Sequence, residues 1–410
     1  MKEHKINVDN EFWLQTVLDK NQKMHCVRCL NRSESTDTYD HVNMTENDND
    51  IGKKNKPKKP WPRWKKILFI SGLVLFGILL LAFIGNWVIF PLVFMNNISL
   101  QRYFMFMNIE NPKNPDFHNP EKYGNEGILN FYKTTVDLDN STLVSIGAWM
   151  ILPEKEKTTR ILFEGVPANE TVASILRNTK SPIALYLHGV GVNRILNYDA
   201  QRKHFLVIAL DHRGFGDSAP NMDPSELGIV SDTTQIYRWV RSLTDQDIYI
   251  WGHSLGTALS THTVKKLKEN HNIVPKGLIL ESPFTTMREE VATNIFGQIF
   301  GWLAYFEQTV QKPLENNGFL FRTSKNILSV DCPILIMHAE DDNVVPFKLG
   351  KKLSEIAQTR RNPVTQGNVT FHSFPALLRY SHNDITKDPE VPRYIKEFKA
   401  MCVDQNKMRG

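Results

Sequence analysis

Cysteine is scarce in this chain, with four residues among 410. So few thiols exclude the densely cross-linked scaffold on which small secreted domains depend. Cys26 and Cys29 form a C-x-x-C pair, but the sequence lacks the second pair of cysteines or histidines that a structural zinc site needs. Cys332 and Cys402 leave two alternatives open, a disulfide in an oxidising compartment or buried thiols, and the apolar strand that begins at Cys332 favours the thiol.

Metal-binding patterns and internal repeats are also missing. No group of Asp, Glu and His residues has the spacing of metal ligands, so we expect neither a metal nor a cofactor. The absence of a repeating period excludes a solenoid or a propeller.

Acidic residues are absent between positions 53 and 66, where eight Lys or Arg residues are concentrated. Residues 1–60 are polar and lack apolar periodicity, so we predict a disordered tail with a basic end. A basic cluster can indicate a nuclear signal or a nucleic-acid patch. Its position directly before an apolar segment favours a role in membrane topology and contact with anionic lipid, and we expect no nucleic-acid partner.

The chain has one long apolar run, which starts at residue 67 and continues without charge to residue 90. About 20 apolar residues cross the hydrocarbon layer as a helix, so we predict a membrane anchor at 61–95 with a transmembrane helix at about 67–90. The run is too long and too far from Met1 for a cleavable signal peptide. Tryptophans, which are typical of membrane interfaces, lie near both of its ends: Trp61, Trp64 and Trp87.

The basic flank of the anchor predicts its orientation. Positive charge favours the cytosolic side, so we expect residues 1–66 in the cytosol and the rest in a lumen or outside the cell, with the endoplasmic reticulum as the preferred membrane. N-x-S/T triplets at Asn31 and Asn43 precede the anchor, so such triplets support this orientation weakly. Four triplets follow the anchor and are candidate glycosylation sites: Asn97, Asn140, Asn169 and Asn368.

Short apolar segments alternate with helical patterns after a connector at 96–139. This alternation predicts an α/β fold at 140–402, with a mostly parallel sheet covered by helices on both faces. Strands are predicted at 143–152, 182–187, 205–210, 248–251, 277–280, 334–337 and 369–374. Helices are predicted at 232–243, 257–270, 347–357 and 391–401.

One interval, residues 283–329, interrupts the alternation with apolar and aromatic residues at helical spacing. A long excursion at this edge of the sheet predicts a cap insertion at about 285–329. Three interpretations of its aromatic stripe remain open: core packing, the wall of an acyl-chain pocket, or a surface that contacts the bilayer.

Residues 252–256 have the pattern G-x-S-x-G between a predicted strand and a predicted helix. The glycines in this context allow a strained turn that exposes a serine hydroxyl, so we predict Ser254 as a nucleophile. A serine needs a histidine base and an acid, which follow it along the chain in the order acid, histidine. His382 lies in a loop after the last predicted strand and is preferred to His372, which lies within that strand.

Two adjacent carboxylates, Asp341 and Asp342, follow the strand at 334–337, and the residues alone leave both open as the acid. The tetrahedral intermediate of acyl transfer also needs two N–H donors for its oxyanion. We predict the amide of Leu255, directly after the serine, and the amide of Val190, in the loop after residues 188–189.

Several motifs accompany the anchor and the serine turn: Y-L-H-G at 186–189, D-H-R-G-F-G-D-S at 211–218, L-E-S-P-F-T at 280–285 and H-A-E-D-D at 338–342. With these motifs the chain from 140 to 400 resembles the α/β-hydrolase superfamily, and more narrowly its membrane-anchored lipases of monoacylglycerol and lysophosphatidylserine. The resemblance implies Asp342 as the acid, because the family's acid lies three residues before a V-P pair, here Val345 and Pro346. It also implies a single-chain lipid substrate. The loop at 189–194 and the approach to His382 depart from the family pattern.

Other functions of the same fold remain alternatives. A thioesterase or a peptidase uses the same triad, and a non-catalytic binding protein usually lacks one of its members. A haloalkane or epoxide hydrolase is disfavoured, because those enzymes have an aspartate where this chain has Ser254. An anionic head group would need cationic contacts, for which Arg194 and Arg379 are the candidates.

Overall fold

The computed structural model describes residues 59–108, 112–124, 126–156 and 168–409. Nearly all of the tail predicted at 1–60 lies outside these residues, and so do Cys26 and Cys29. The chain divides into two units, Met1–Lys65 and Lys66–Gly410, of which the second contains the folded domain.

A single long helix, Arg63–Asn96, opens the described chain. It consists of α1 (Arg63–Ile84), a π-helical turn (Gly85–Ile89) and α2 (Phe90–Asn96). No residue of α1 is buried, and the most apolar stretch has a mean hydropathy of 3.0. Among the described residues this is the one helix that is long and apolar enough to cross a membrane, and it includes the span predicted at about 67–90.

An eight-stranded sheet forms the centre of the folded domain, in the order β1-β2-β4-β3-β5-β6-β7-β8. The second strand pairs antiparallel with both of its neighbours, and the other pairs are parallel, as predicted from the sequence. The strands are β1 (Ile128–Val136), β2 (Leu143–Ile151), β3 (Ile183–Leu187), β4 (Leu206–Leu210), β5 (Ile248–His253), β6 (Gly277–Glu281), β7 (Ile334–Ala339) and β8 (Val369–Phe374).

Helices cover both faces of the sheet. Because side chains alternate along a strand, Leu185 and Leu187 pack in one apolar cluster, while Ala184 and Tyr186 pack in a second cluster on the opposite face. The remaining helices are α3 (Ile98–Phe106), α4 (Ala168–Asn178), α5 (Asp199–Arg202), α6 (Glu226–Leu243), α7 (Leu255–His271), α8 (Met287–Thr293), α9 (Ile295–Phe300), α10 (Lys312–Asn316), α11 (Thr323–Asn326), α12 (Phe347–Arg360) and α13 (Val391–Arg409).

The first strand is the main element that the sequence pattern does not predict. β1 lies inside the range 96–139 that was expected to be a connector, so the expected boundary at 140 falls between β1 and β2. Three of the nine positions in this edge strand are buried, without a regular alternation, and polar residues such as Asn130 and Lys133 interrupt its apolar run. Cys332 and Cys402 are both buried and form no disulfide, in agreement with the thiol interpretation.

The predicted cap, residues 285–329, lies between β6 and β7 and contains α8 to α11 with a π-helical turn at Glu307–Gln311. Its apolar stripe divides into two sets. Phe300, Leu303 and Phe306 are buried in the main apolar cluster, which fits the core-packing interpretation. Ile295, Ile299 and Trp302 are exposed instead.

Candidate active site

Ser254 lies on a sharp turn between β5 and α7. Its backbone has φ 53° and ψ −120°, a conformation that L-residues rarely adopt. The flanking glycines make the turn possible, because a Cβ on Gly252 would lie 2.2 Å from the Gly256 carbonyl oxygen. A Cβ on Gly256 would lie 2.0 Å from the Leu187 carbonyl oxygen. This is the strand–turn–helix context in which G-x-S-x-G presents a serine hydroxyl.

Asp342 is the carboxylate that faces the predicted base. Its Oδ2 lies 2.8 Å from Nδ1 of His382 and 3.2 Å from Nε2 of His338. Its Oδ1 accepts hydrogen bonds from the amides of Val344 (2.9 Å) and Val345 (2.8 Å). Burial opposes ionisation, but the hydrogen bonds from both histidines outweigh it and hold the pKa of Asp342 well below its usual range.

The neighbouring Asp341 has a different contact. Both of its carboxylate oxygens lie 3.1 Å from the amide nitrogen of Ser381, which donates to them. Asp341 therefore anchors the loop that carries His382, and the ring of His382 pairs with Asp342 alone of the two adjacent carboxylates.

His382 is buried, and its Nδ1 points at Asp342, which leaves Nε2 as the acceptor nitrogen of a neutral ring. Burial lowers the pKa of His382, against the raising effect of Asp342, and the nearby His253 lowers it further. His253 also binds the loop, since its Nε2 lies 3.0 Å from the His382 carbonyl oxygen. The rival His372 lies on β8, with its ring stacked at 3.9 Å on Tyr394.

The predicted oxyanion donors lie with the serine in one cavity of about 220 Å³, which Ser254, Leu255 and Val190 help to line. Within the described part of the chain, neither amide of the two predicted donors has a hydrogen-bond acceptor. The adjoining Gly189 packs on the nucleophile, because a Cβ there would lie 2.9 Å from the Ser254 Cβ and 3.4 Å from its Oγ.

Arg194 has a structural role that the sequence does not reveal. Its buried guanidinium donates to Asp211 (2.5 Å), to Asp217 (2.7 Å) and to Asn130 (2.9 Å). Its own amide donates to Asp211 as well, so the loop at 189–194 is tied to the carboxyl end of β4. Arg194 is therefore a buried structural residue rather than an accessible contact for a head group, whereas Arg379 is exposed.

Two further polar residues belong to the site, although no motif indicates them as reactive groups. His338, at the end of β7, is the second histidine on Asp342. Glu290, on α8, lines the cavity of Ser254, and both of its oxygens lie 3.0 Å from Nδ2 of Asn294. Burial, with the charge of Asp342, raises the pKa of Glu290 to about 7. In the described ranges no group of three or more His, Cys, Asp or Glu side chains could hold a metal ion.

The fold and these residues together define the class of the protein, an enzyme of the α/β-hydrolase fold. A family model for the alpha/beta hydrolase fold matches residues 185–321. Among solved structures, Est1E of Butyrivibrio proteoclasticus covers 68% of this chain and 99% of its own, at 15% identity and a TM-score of 0.46, which is too low to bear on function.

More closely related proteins identify the family within that class. Lysophosphatidylserine lipase ABHD12 of Rattus norvegicus is 33% identical over 83% of this chain and 81% of its own. The protein of the same name from Xenopus tropicalis is 34% identical over 78% and 81%. Protein ABHD12B of Homo sapiens is 32% identical over 53% and 60%. This chain therefore belongs to the ABHD12 family of α/β hydrolases.

We expect Arg194→Met to destabilise the folded domain, because it leaves the buried carboxylate of Asp211 without its partner. Breaking a buried ion pair in this way costs about 3–5 kcal/mol in the free energy of unfolding. Urea denaturation in mild detergent, followed by tryptophan fluorescence, measures the loss.

Arg393→Ala is the matched control for this change. Arg393, on the last helix, forms exposed ion pairs with Glu390 and Glu397, so its removal should leave the urea midpoint nearly unchanged. A midpoint for Arg194→Met that equals that of Arg393→Ala would contradict the structural role assigned to Arg194.

Proposed function

We propose that this protein is a membrane-anchored serine hydrolase that cleaves the acyl ester of a monoacylglycerol or of a lysophospholipid of the lysophosphatidylserine type. One observation carries the proposal: the imidazole of His382 lies 2.8 Å from Asp342, in the loop region at the carboxyl ends of the strands where Ser254 occupies its strained turn. Ser254 is the proposed nucleophile, His382 the base and Asp342 the acid.

The proposed reaction has two halves. In the first, Ser254 Oγ attacks the ester carbonyl while Nε2 of His382 takes its proton, and the carboxylate of Asp342 stabilises the imidazolium. The amides of Leu255 and Val190 donate to the oxyanion. The intermediate collapses, and the alcohol leaves with the proton from His382. In the second half, water loses a proton to His382 and attacks the acyl-serine. The second tetrahedral intermediate then collapses as His382 returns the proton to Ser254 Oγ, which releases the fatty acid and restores the serine hydroxyl.

Two observations support a lipid substrate. The relatives that cover most of this chain are named lysophosphatidylserine lipase. The cavity of Ser254 is lined largely by apolar side chains that suit an acyl chain, namely Phe104, Met105, Phe284, Met287, Ile295 and Val345. A thioesterase or a peptidase would need the same triad, so the substrate has to be tested directly.

The proposed topology places residues 1–66 in the cytosol and the catalytic domain in a lumen or outside the cell, with the endoplasmic reticulum as the membrane. The basic flank of the apolar helix supports this orientation. The four candidate glycosylation sites after the helix, Asn97, Asn140, Asn169 and Asn368, are all exposed.

We expect a fluorophosphonate probe to label the wild-type protein in detergent and to leave Ser254→Ala unlabelled, because the probe reacts with an activated serine. A panel of monoacylglycerols, lysophospholipids, acyl thioesters and peptides, assayed with both proteins, identifies the substrate class. Folded wild-type protein without labelling would contradict the proposed chemistry, and Ser254-dependent cleavage of thioesters or peptides alone would contradict the proposed substrate.

Asp342→Asn should lower kcat by about 10⁴, because the histidine loses the carboxylate that fixes its tautomer. Asp341→Asn is the matched control, since it changes the adjacent carboxylate, which accepts a hydrogen bond from the amide of Ser381 and does not contact the His382 ring. Steady-state kinetics on a soluble ester should show a much smaller loss for the control. A larger loss for Asp341→Asn than for Asp342→Asn would reverse the assignment of the acid.

Glycosidase treatment of the protein expressed in animal cells should increase its gel mobility, if the catalytic domain enters the secretory lumen. Replacing Asn97, Asn140, Asn169 and Asn368 together by Gln should abolish this shift. Digestion of the catalytic domain by protease added to the cytosolic side of sealed microsomes would overturn the orientation.

A further inference from the structure

Apolar side chains are exposed together on one side of the cap. Residues 291–306 form a stretch of sixteen residues without charge, yet Ile295, Ile299 and Trp302 are 65%, 44% and 62% exposed. We call these three residues and Tyr305 the apolar cap face. Clusters of large apolar side chains on a protein surface usually mark a site of contact with a membrane or another protein.

The apolar cap face is continuous with the long apolar helix. Trp87 Nε1 donates to the carbonyl oxygen of Ile299 at 3.4 Å, and the Tyr305 hydroxyl donates to the carbonyl oxygen of Trp87. The rings of Trp87 and Trp302 lie 6.4 Å apart. Trp87 lies about 20 residues into the apolar run, which is the length that spans roughly 30 Å of hydrocarbon. These aromatic residues are therefore at the level of the bilayer boundary, where Trp and Tyr are enriched.

Aromatic packing behind the face joins the cap to the helix. The rings of Phe90 and Phe300 are stacked at 5.4 Å, and those of Phe94 and Phe296 lie 5.7 Å apart. Phe94 and Phe300 are buried. The cap and the end of the helix thus form one packed unit, so the position of the face relative to the bilayer follows from that of the helix.

The cavity of Ser254 opens beside the same face. Three of the apolar side chains that line it, Met107, Ile295 and Val344, are exposed, and we infer that the cavity opens to the surface through a mouth between them. Ile295 belongs both to this mouth and to the apolar cap face. An acyl chain that passes between these side chains would move from hydrocarbon into an apolar cavity without crossing water, which avoids the cost of exposing its methylene groups.

We propose that the apolar cap face is immersed in the bilayer boundary and that lipid substrate reaches Ser254 from the bilayer through the mouth formed by Met107, Ile295 and Val344. The inference rests on the proposed ester hydrolysis at Ser254 and specifies how its substrate arrives. We prefer the bilayer to a second copy of the chain as the partner of the apolar cap face. The face is continuous with the long apolar helix, and no residue of α1 in that helix is buried by the described part of the protein.

Immersion of the apolar cap face in a bilayer can be measured without an assay of enzyme activity. Trp302→Cys, in a chain with Cys26 and Cys29 replaced by Ser, is labelled with an environment-sensitive fluorophore and reconstituted into phosphatidylcholine vesicles that contain a doxyl-labelled lipid. The other two cysteines, Cys332 and Cys402, are buried. Val364→Cys is the matched control, because Val364 is 82% exposed and precedes β8, at the amino ends of the parallel strands, whereas the cap follows the carboxyl end of β6.

The proposal requires strong quenching at position 302 and little at position 364. Equal quenching at both positions would overturn it. Shielding of position 302 from the lipid quencher, together with cross-linking between two copies at that position, would also overturn it and would assign the face to a second copy of the chain.

The route of the substrate is tested with Trp302→Asp and Ile299→Asp, which place charge on the face without altering a cavity-lining residue. Hydrolysis of a long-chain lysophospholipid in vesicles should fall by about tenfold, because a carboxylate opposes immersion. Hydrolysis of p-nitrophenyl butyrate in detergent, and labelling by fluorophosphonate, should be unchanged, as should both activities of Val364→Asp.

These readouts separate the two proposals. Unchanged vesicle hydrolysis by Trp302→Asp and Ile299→Asp would contradict the route, and so would an equal effect of Val364→Asp on vesicle hydrolysis. A wild-type protein that is quenched at position 302 but hydrolyses neither ester would instead overturn the proposed chemistry at Ser254.

Discussion

The left-handed backbone of Ser254 is the constraint on which the geometry of the site depends. Such a conformation costs on the order of 1–3 kcal/mol for a residue with a side chain, so the surrounding structure has to hold it. Gly256 allows this, because the first turn of α7, in which it lies, packs directly on the Leu187 carbonyl at the end of a central strand. The same turn makes Leu255 the first residue of α7, which leaves its amide without an acceptor inside the helix.

The sequence predicts those parts of the fold and the site that depend on neighbouring residues and on burial. The central strands are buried along their whole length and mostly apolar because both of their faces are covered, and the glycines of the serine turn are required by close approach of the backbone. β1 escapes prediction because it is an edge strand whose polar positions, such as Asn130, contact side chains far away in the sequence. The sheet and Ser254 could therefore be predicted, but the first strand could not.

The roles of side chains that act in pairs can be assigned only from the structure or from a family resemblance. Asp341 and Asp342 are adjacent residues with the same side chain, so the sequence alone does not distinguish them. The turn that follows β7 determines which of them faces His382. Arginine is usually a surface residue, so the sequence does not indicate that Arg194 is buried. Its partners Asp211, Asp217 and Asn130 surround it from three separate segments. Glu290 is similar, since it approaches the serine only through the fold of the cap.

The helix Arg63–Asn96 is continuous from its most apolar stretch to the aromatic residues that hold the cap. Membranes differ in hydrophobic thickness by a few Å, and a spanning helix adjusts mainly by tilting. Because Phe90 and Phe94 are packed against the cap, a tilt of the helix turns the catalytic domain with it. In the proposed topology, the thickness of the host membrane would therefore set the angle between the catalytic domain and the bilayer surface.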